Sequence, residues 1–206
     1  VEAAIKIYLG QTVNLSEQWL VSCNSEGWRC DGGFYAYDYL DIKTDSCGHS
    51  GAVLETEFPY GSDDLPCLCP YWHDYKISEW YYIGYLDLPS VGEIKQAIYT
   101  YGPVAASVCA DEAFSAYAGG IFNGCSVEPT NHSVLLVGWD DALGVNGCWI
   151  LKNSWGTSWG IDGYMHIPYG CSSVGTNANS VVGPYAMSPM AVAPDLYCVP
   201  GGQTYC

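Results

Sequence analysis

Eleven cysteines in 206 residues, at positions 23, 30, 47, 67, 69, 109, 125, 148, 171, 198 and 206, constrain this chain more than any other feature. A reduced cytosolic enzyme of this size seldom carries so many thiols, so the count predicts an oxidising compartment and a secreted or similarly exported protein. Cys47, Cys67 and Cys69 fall with Pro59 and Pro70 in a long turn-rich region that has no helical or strand periodicity. Cross-links must hold such a region, because a periodic apolar face cannot. The odd total leaves a thiol unpaired. Cys67-Leu68-Cys69 with His73 loosely resembles a metal knuckle, but one short spacing lacks the second ligand pair of a closed zinc site. Disulfides are therefore the expected state, with no metal and no organic cofactor.

Twenty-two acidic against six basic residues give a net charge of -16, with Arg29 the only arginine. That balance repels phosphate backbones and anionic lipid, so neither nucleic acid nor a membrane surface is an expected partner. No apolar run approaches the roughly 18 to 20 residues of a membrane helix; the longest is Ser133 to Trp139. With 49% hydrophobic residues the chain has enough apolar material for a sizeable core. Val1 to Leu9 shows apolar residues at helical spacing without a cap or a basic leader, which reads as a chain entering in mid-helix and predicts an upstream segment.

The opening helix should stop at Gly10, and Ser16 should cap a second through Val21. A third helical stretch is expected over Phe34 to Leu40. Ser90-Val91-Gly92-Glu93 fits a capping box, followed by Val91, Ile94, Ala97, Ile98 and Tyr101 on one helical face up to Gly102. Pro103 to Ala110, His132 to Asp140, Cys148 to Asn153 and Gly163 to Ile167 read as strands, with a turn around Gly144 and Gly147. A helical first half (1–88) and a β-rich second half (89–183) predict an α+β fold of two lobes with a cleft between them. Residues 184–206, rich in Pro, Ala, Ser and Gly, read as a linker-like tail to which further C-terminal modules could attach, on an otherwise monomeric chain.

A histidine that opens an apolar strand is, alone, more often structural than catalytic. His132, however, is followed 21 residues later by Asn153-Ser154-Trp155-Gly156, with Trp159-Gly160 beyond. A hairpin would bring Asn153 beside His132, and the tryptophans suit shielding of a hydrogen bond, so an oriented imidazole is the reading. His49, His73 and His166 have no such company and are read as surface or packing residues.

Several blocks in order now resemble the papain-like cysteine peptidases. Leu15-Ser16-Glu17-Gln18 with Leu20-Val21-Ser22-Cys23, Cys30-Asp31-Gly32-Gly33, Gly102-Pro103-Val104, Tyr117 to Phe122, Asn131-His132-Ser133 and Lys152 to Trp159-Gly160 carry the likeness, from Val1 to about Gly183. The resemblance implies a two-lobed papain-like fold in which a thiolate cysteine attacks peptide bonds, with His132 moving the proton and Asn153 holding the ring. It also implies that Gly32 and Gly33 pair with an extended substrate backbone. Phe34, Ser107 and Ser133 would then shape an apolar-preferring pocket for the second residue before the scissile bond. Asn131 stands where the family often has aspartate, and Trp155 and Trp159 complete the implied substrate region. By the family pattern Cys23 bridges Cys67 and Cys125 bridges Cys171, while Cys30 pairs with a cysteine outside this sequence. Cys47–Cys69 is a reasonable extra bridge, Cys198–Cys206 could close a loop in the tail, and Cys109 and Cys148 are buried thiols within strands.

The family's Gly-Ser-Cys-Trp-type nucleophile segment and its oxyanion glutamine occur nowhere in the sequence. The expectation is that both lie upstream, on the order of 140 residues before His132, and that the chain as it stands is inactive. A catalytically dead peptide-binding or structural module of a larger secreted protein is the alternative. A disulfide-rich adhesion or carbohydrate-binding domain would explain the cysteines and the 18 tyrosines, but not the paired His132 and Asn153 blocks.

Overall fold

The computed structural model of the protein describes residues 1–61, 63–84 and 88–187. Its first helix, α1 (Glu2–Leu9), ends where Gly10 turns left-handed at φ 72° and donates its N–H to the Lys6 carbonyl. Helix α2 (Glu17–Cys23) starts at Ser16, whose hydroxyl accepts from the Trp19 N–H. The expected third helix over Phe34–Leu40 shrinks to one 3-10 turn, Tyr37–Leu40. Its aromatic residues pack sideways against Trp80 and Tyr82 instead of lining a helical face, and Phe34 points into solvent.

After β1 (Tyr75–Lys76) and β2 (Glu79–Tyr82) comes α3 (Val91–Tyr101), begun by the Ser90–Glu93 capping box. The remaining elements are β3 (Val104–Val108), the short α4 (Glu112–Ser115), β4 (His132–Asp140), β5 (Cys148–Lys152), β6 (Tyr164–Pro168), β7 (Thr176–Val182) and β8 (Tyr185–Ala186). Strand β3 is shorter than expected at its end because the Ala110 N–H and carbonyl are taken by the Asn131 side chain. Six strands form one antiparallel sheet in the order β2-β7-β3-β4-β5-β6, and β1 pairs with β8.

The fold is α+β with two apolar cores. One packs Ile94 and Ala97 of α3 onto Val104, Leu136, Leu151 and Ile167 of the sheet. The other gathers Trp19, Tyr39, Val53 and Ile77 between α2 and the irregular first half, with Val181 of β7 reaching in. The sheet thus takes β2, within residues assigned by sequence to the first lobe. Tyr185–Ala186, expected in a linker, pairs instead with β1 as a strand. Residues 188–206, with the Cys198–Cys206 pairing, lie outside the described residues.

Three disulfides are present among the described residues: Cys23–Cys67, Cys47–Cys69 and Cys125–Cys171, with Cα separations of 5.1, 5.9 and 4.9 Å. The first two pin the turn-rich stretch that lacks regular structure. Sulfurs of Cys23, Cys47 and Cys67 lie close enough together to suggest a metal cluster, but all three are spent in these bonds. Cys109 sits one residue past β3, where its N–H donates to the Ser172 carbonyl, and Cys148 opens β5; both are buried and free, and Cys30 is exposed and free.

Candidate active site

Strand β4 begins at His132 and runs antiparallel to β5, with Leu135 opposite Lys152, so the start of one strand lies beside the end of the other. Asn153 follows β5 directly and is anchored by its N–H on the Gly163 carbonyl. Only 8% of Asn153 is exposed. Its Oδ1 lies 2.8 Å from His132 Nε2 and 2.8 Å from the Ser154 backbone N. A main-chain N–H can only donate, so the shared atom is the oxygen, and Nε2 must carry the proton it donates. Nδ1 makes no hydrogen bond among the described residues and is the ring nitrogen left available. The imidazole is therefore presented as a base through Nδ1, fixed in tautomer and direction by an amide.

Aromatic side chains close the rest of the ring's surroundings. Trp155 lies over His132 with centroids 4.8 Å apart, Phe114 is 6.3 Å away, and Trp159 stacks on Phe114. Trp155 remains 40% exposed, so its outer face meets water while its inner side shields the His132–Asn153 bond. Trp159 is buried and donates its indole N–H to the Ser115 carbonyl. The left-handed Gly160, φ 61°, lets the segment turn there; a Cβ would stand 2.5 Å from the Tyr164 carbonyl oxygen.

His132 opens onto a cleft of about 890 Å³ whose lining includes Gly32, Gly33, Phe34, Ser107, Asn131 and Ser133. Trp155 and Trp159 are not in this lining: Trp155 packs on the imidazole and Trp159 packs on Trp155. The Asn131 side chain is engaged with both polar groups of the Ala110 backbone, so it braces the His132 strand from the cleft rim. Several lining residues escaped sequence reasoning, Tyr35 and Asn177 among them. Tyr35 reaches across the cleft to the Ser107 hydroxyl at 3.1 Å, and Asn177 enters from β7 in a left-handed conformation, φ 51°. The tyrosines around residue 35 were a signal for the first; nothing local marked Asn177.

Among the described residues no free cysteine lines the cleft beside His132. Hydrogen bonding to Asp64 pushes the Cys30 thiol up, away from the thiolate, and burial does the same to Cys148, while Cys109, one residue past β3, is buried.

His132, oriented by Asn153 under Trp155, thus stands at the edge of a cleft in an α+β fold built on an antiparallel sheet. The chain belongs to the papain family of cysteine proteases, whose family model matches residues 1–184. It is 32% identical over 188 residues to vinckepain-1 of Plasmodium vinckei, covering 75% of this chain and 35% of that protein. It is 36% identical over 171 residues to cysteine proteinase COT44 of Brassica napus, covering 81% and 49%. The chain thus spans half or less of the length of these curated relatives. Among solved structures it is similar to the Carica candamarcensis cysteine protease CMS1MS2, with a TM-score of 0.72 and 30% identity, covering 88% of this chain and 83% of that one. The digestive procathepsin L2 proteinase of Tenebrio molitor gives a TM-score of 0.74 at 29% identity, covering 87% and 57%.

Proposed function

We propose that the chain carries the histidine and asparagine half of a peptidase that hydrolyses peptide bonds through a thioester acyl-enzyme. The observation that carries this reading is the His132 Nε2–H donated to Asn153 Oδ1, which leaves Nδ1 as a base facing the cleft. In the complete reaction Nδ1 takes the proton of a cysteine thiol, the thiolate attacks the substrate carbonyl, and the imidazolium returns the proton to the leaving amine. Water, deprotonated by the same ring, then cleaves the thioester. Asn153 acts by positioning, and Trp155 keeps water from competing for its oxygen. The nucleophile this scheme requires is a cysteine beyond the 206 residues, and on this reading the chain alone cleaves nothing.

Gly32 and Gly33 would pair with the substrate backbone, and Phe34, Ser107 and Ser133, with Asn131 at the rim, would form the adjoining pocket. Peptides or proteins are the substrates, and no cofactor takes part. The three disulfides fit an oxidising compartment, and a secreted monomer, with room for C-terminal modules, is the finer form of the reading. The test is to extend the protein upstream until a cysteine heads a helix, then follow cleavage of an apolar dipeptidyl fluorogenic substrate. Cleavage blocked by a thiol-alkylating agent and absent in His132→Ala is expected. An extended form that folds, contains the cysteine and remains inert would favour a peptide-binding module instead.

A further inference from the structure

Behind the cleft wall made by Phe34 and Tyr35 lies a second, smaller cavity of about 230 Å³ that shares both residues with the cleft. Trp28, Trp80 and Tyr82 supply further aromatic faces. Trp80 and Tyr82 meet edge to face at 5.4 Å, and Tyr82 meets Tyr35 the same way at 6.4 Å. Phe34 and Tyr82 are exposed, Tyr35 is half-buried, and none of the three belongs to either core. Large aromatic side chains left in water around a concavity lose the burial that would stabilise them, which points to an occupant.

The charges say which occupant. Glu26 is paired with Lys43, and that ammonium already sits 4.9 Å from the Tyr39 ring and 5.8 Å from Trp28, so these aromatic walls hold one cation in the free protein. Asp38 is held in place by the Trp80 indole N–H, 2.7 Å from Oδ1, and has no cationic partner among the described residues. A fixed carboxylate beside exposed aromatic faces, in a protein of net charge -16, suits a flat cation that stacks and donates at once. A guanidinium does both, whereas an ammonium is a compact point charge with a tight hydration shell. Arg29, the only arginine of the 206 residues, is not in the lining, so none of these residues supplies a guanidinium there.

We propose that this pocket binds an arginine side chain of a peptide lying in the cleft, making the protein selective for arginine-bearing substrates. The proposal rests on the reading of the cleft as a substrate cleft, since Phe34 and Tyr35 are the wall the arginine would cross.

Two peptides that differ only in arginine against citrulline, which keeps the shape and removes the charge, are titrated into the chain by calorimetry at low and raised salt. The arginine peptide should bind on the order of tenfold tighter, with the advantage shrinking as salt rises. Asp38→Asn retains an acceptor for the Trp80 indole and should abolish the preference without changing the affinity for the citrulline peptide. Tyr82→Ala, outside both cores, should reduce it several-fold with an unchanged circular dichroism spectrum. Equal affinities, or a preference that survives both substitutions, would overturn the proposal, as would binding of neither peptide. The readout is independent of hydrolysis: arginine preference without cleavage by the extended form would retire the peptidase reading and leave the pocket standing. Alkylation-sensitive cleavage without the preference would do the reverse.

Discussion

Replacing Asn153 by alanine tests the site most directly, because one oxygen atom holds both of its neighbours. Oδ1 accepts from His132 Nε2 and from the Ser154 N–H, each at 2.8 Å, in a residue with 8% exposure. A typical hydrogen bond contributes about 1 kcal/mol net, and a buried donor stripped of its acceptor costs roughly 1–3 kcal/mol. Two such bonds are lost, and the half-buried ring and the exposed Ser154 can each recover some water, so the sum should be about 2 kcal/mol. For a chain of this size that lowers Tm by roughly 4–8 °C. Asn153→Asp, which keeps an acceptor oxygen, should recover most of the loss. Thermal unfolding followed by near-ultraviolet circular dichroism measures both variants, and proton NMR supplies a second signature. The Nε2 proton of His132, bonded and covered by Trp155, should exchange slowly in the parent protein and vanish in Asn153→Ala. An alanine variant as stable as the parent with that proton still protected would refute the assigned geometry.

Two further outcomes follow from residues outside the cleft. Burial lowers the His73 pKa from 6.5, outweighing the Gly51 carbonyl on Nδ1 and the Asp45 carboxylate 3.7 Å from Nε2, which both raise it. The folded state then binds fewer protons than the unfolded chain, so this residue's contribution is present above pH 6.5 and is lost as pH falls below it. Urea midpoints between pH 5 and 8 should show that slope, and it should flatten in His73→Gln; an unchanged slope in the variant would remove His73 as its source. Gly160→Ala must accept φ 61° and a Cβ 2.5 Å from the Tyr164 carbonyl, so a destabilisation of about 1–3 kcal/mol is expected from equilibrium unfolding, and a neutral result would mean that the turn relaxes freely.

Sequence reasoning reached furthest where the determining interactions are local. The Ser16 cap, the Ser90–Glu93 box and the Gly10 stop are decided within one helical turn, and all three sit where their residue types require. It failed over Phe34–Leu40, where aromatic side chains found partners on β2, more than forty residues away, and abandoned the helix. It also missed β2 and β7, whose pairing brings residue 79 beside residue 182 and has no signature in either segment alone.

The amino-acid sequence by itself determined the family, the acidic surface, the cysteine-rich framework and the pairing of a strand-opening histidine with an asparagine one hairpin later. Those properties depend on residue identity and on short spacings, which folding does not alter. Only the tertiary structure decided that Nε2 rather than Nδ1 meets Asn153, that Trp155 packs on the imidazole and Trp159 on Trp155, and that Tyr35 and Asn177 enter the cleft. Which ring nitrogen is free depends on the direction in which a side chain leaves its strand, and which residues meet across the cleft depends on how two cores pack. Both are set by contacts between segments distant in the chain, where no local pattern of residues can specify an angle or a distance.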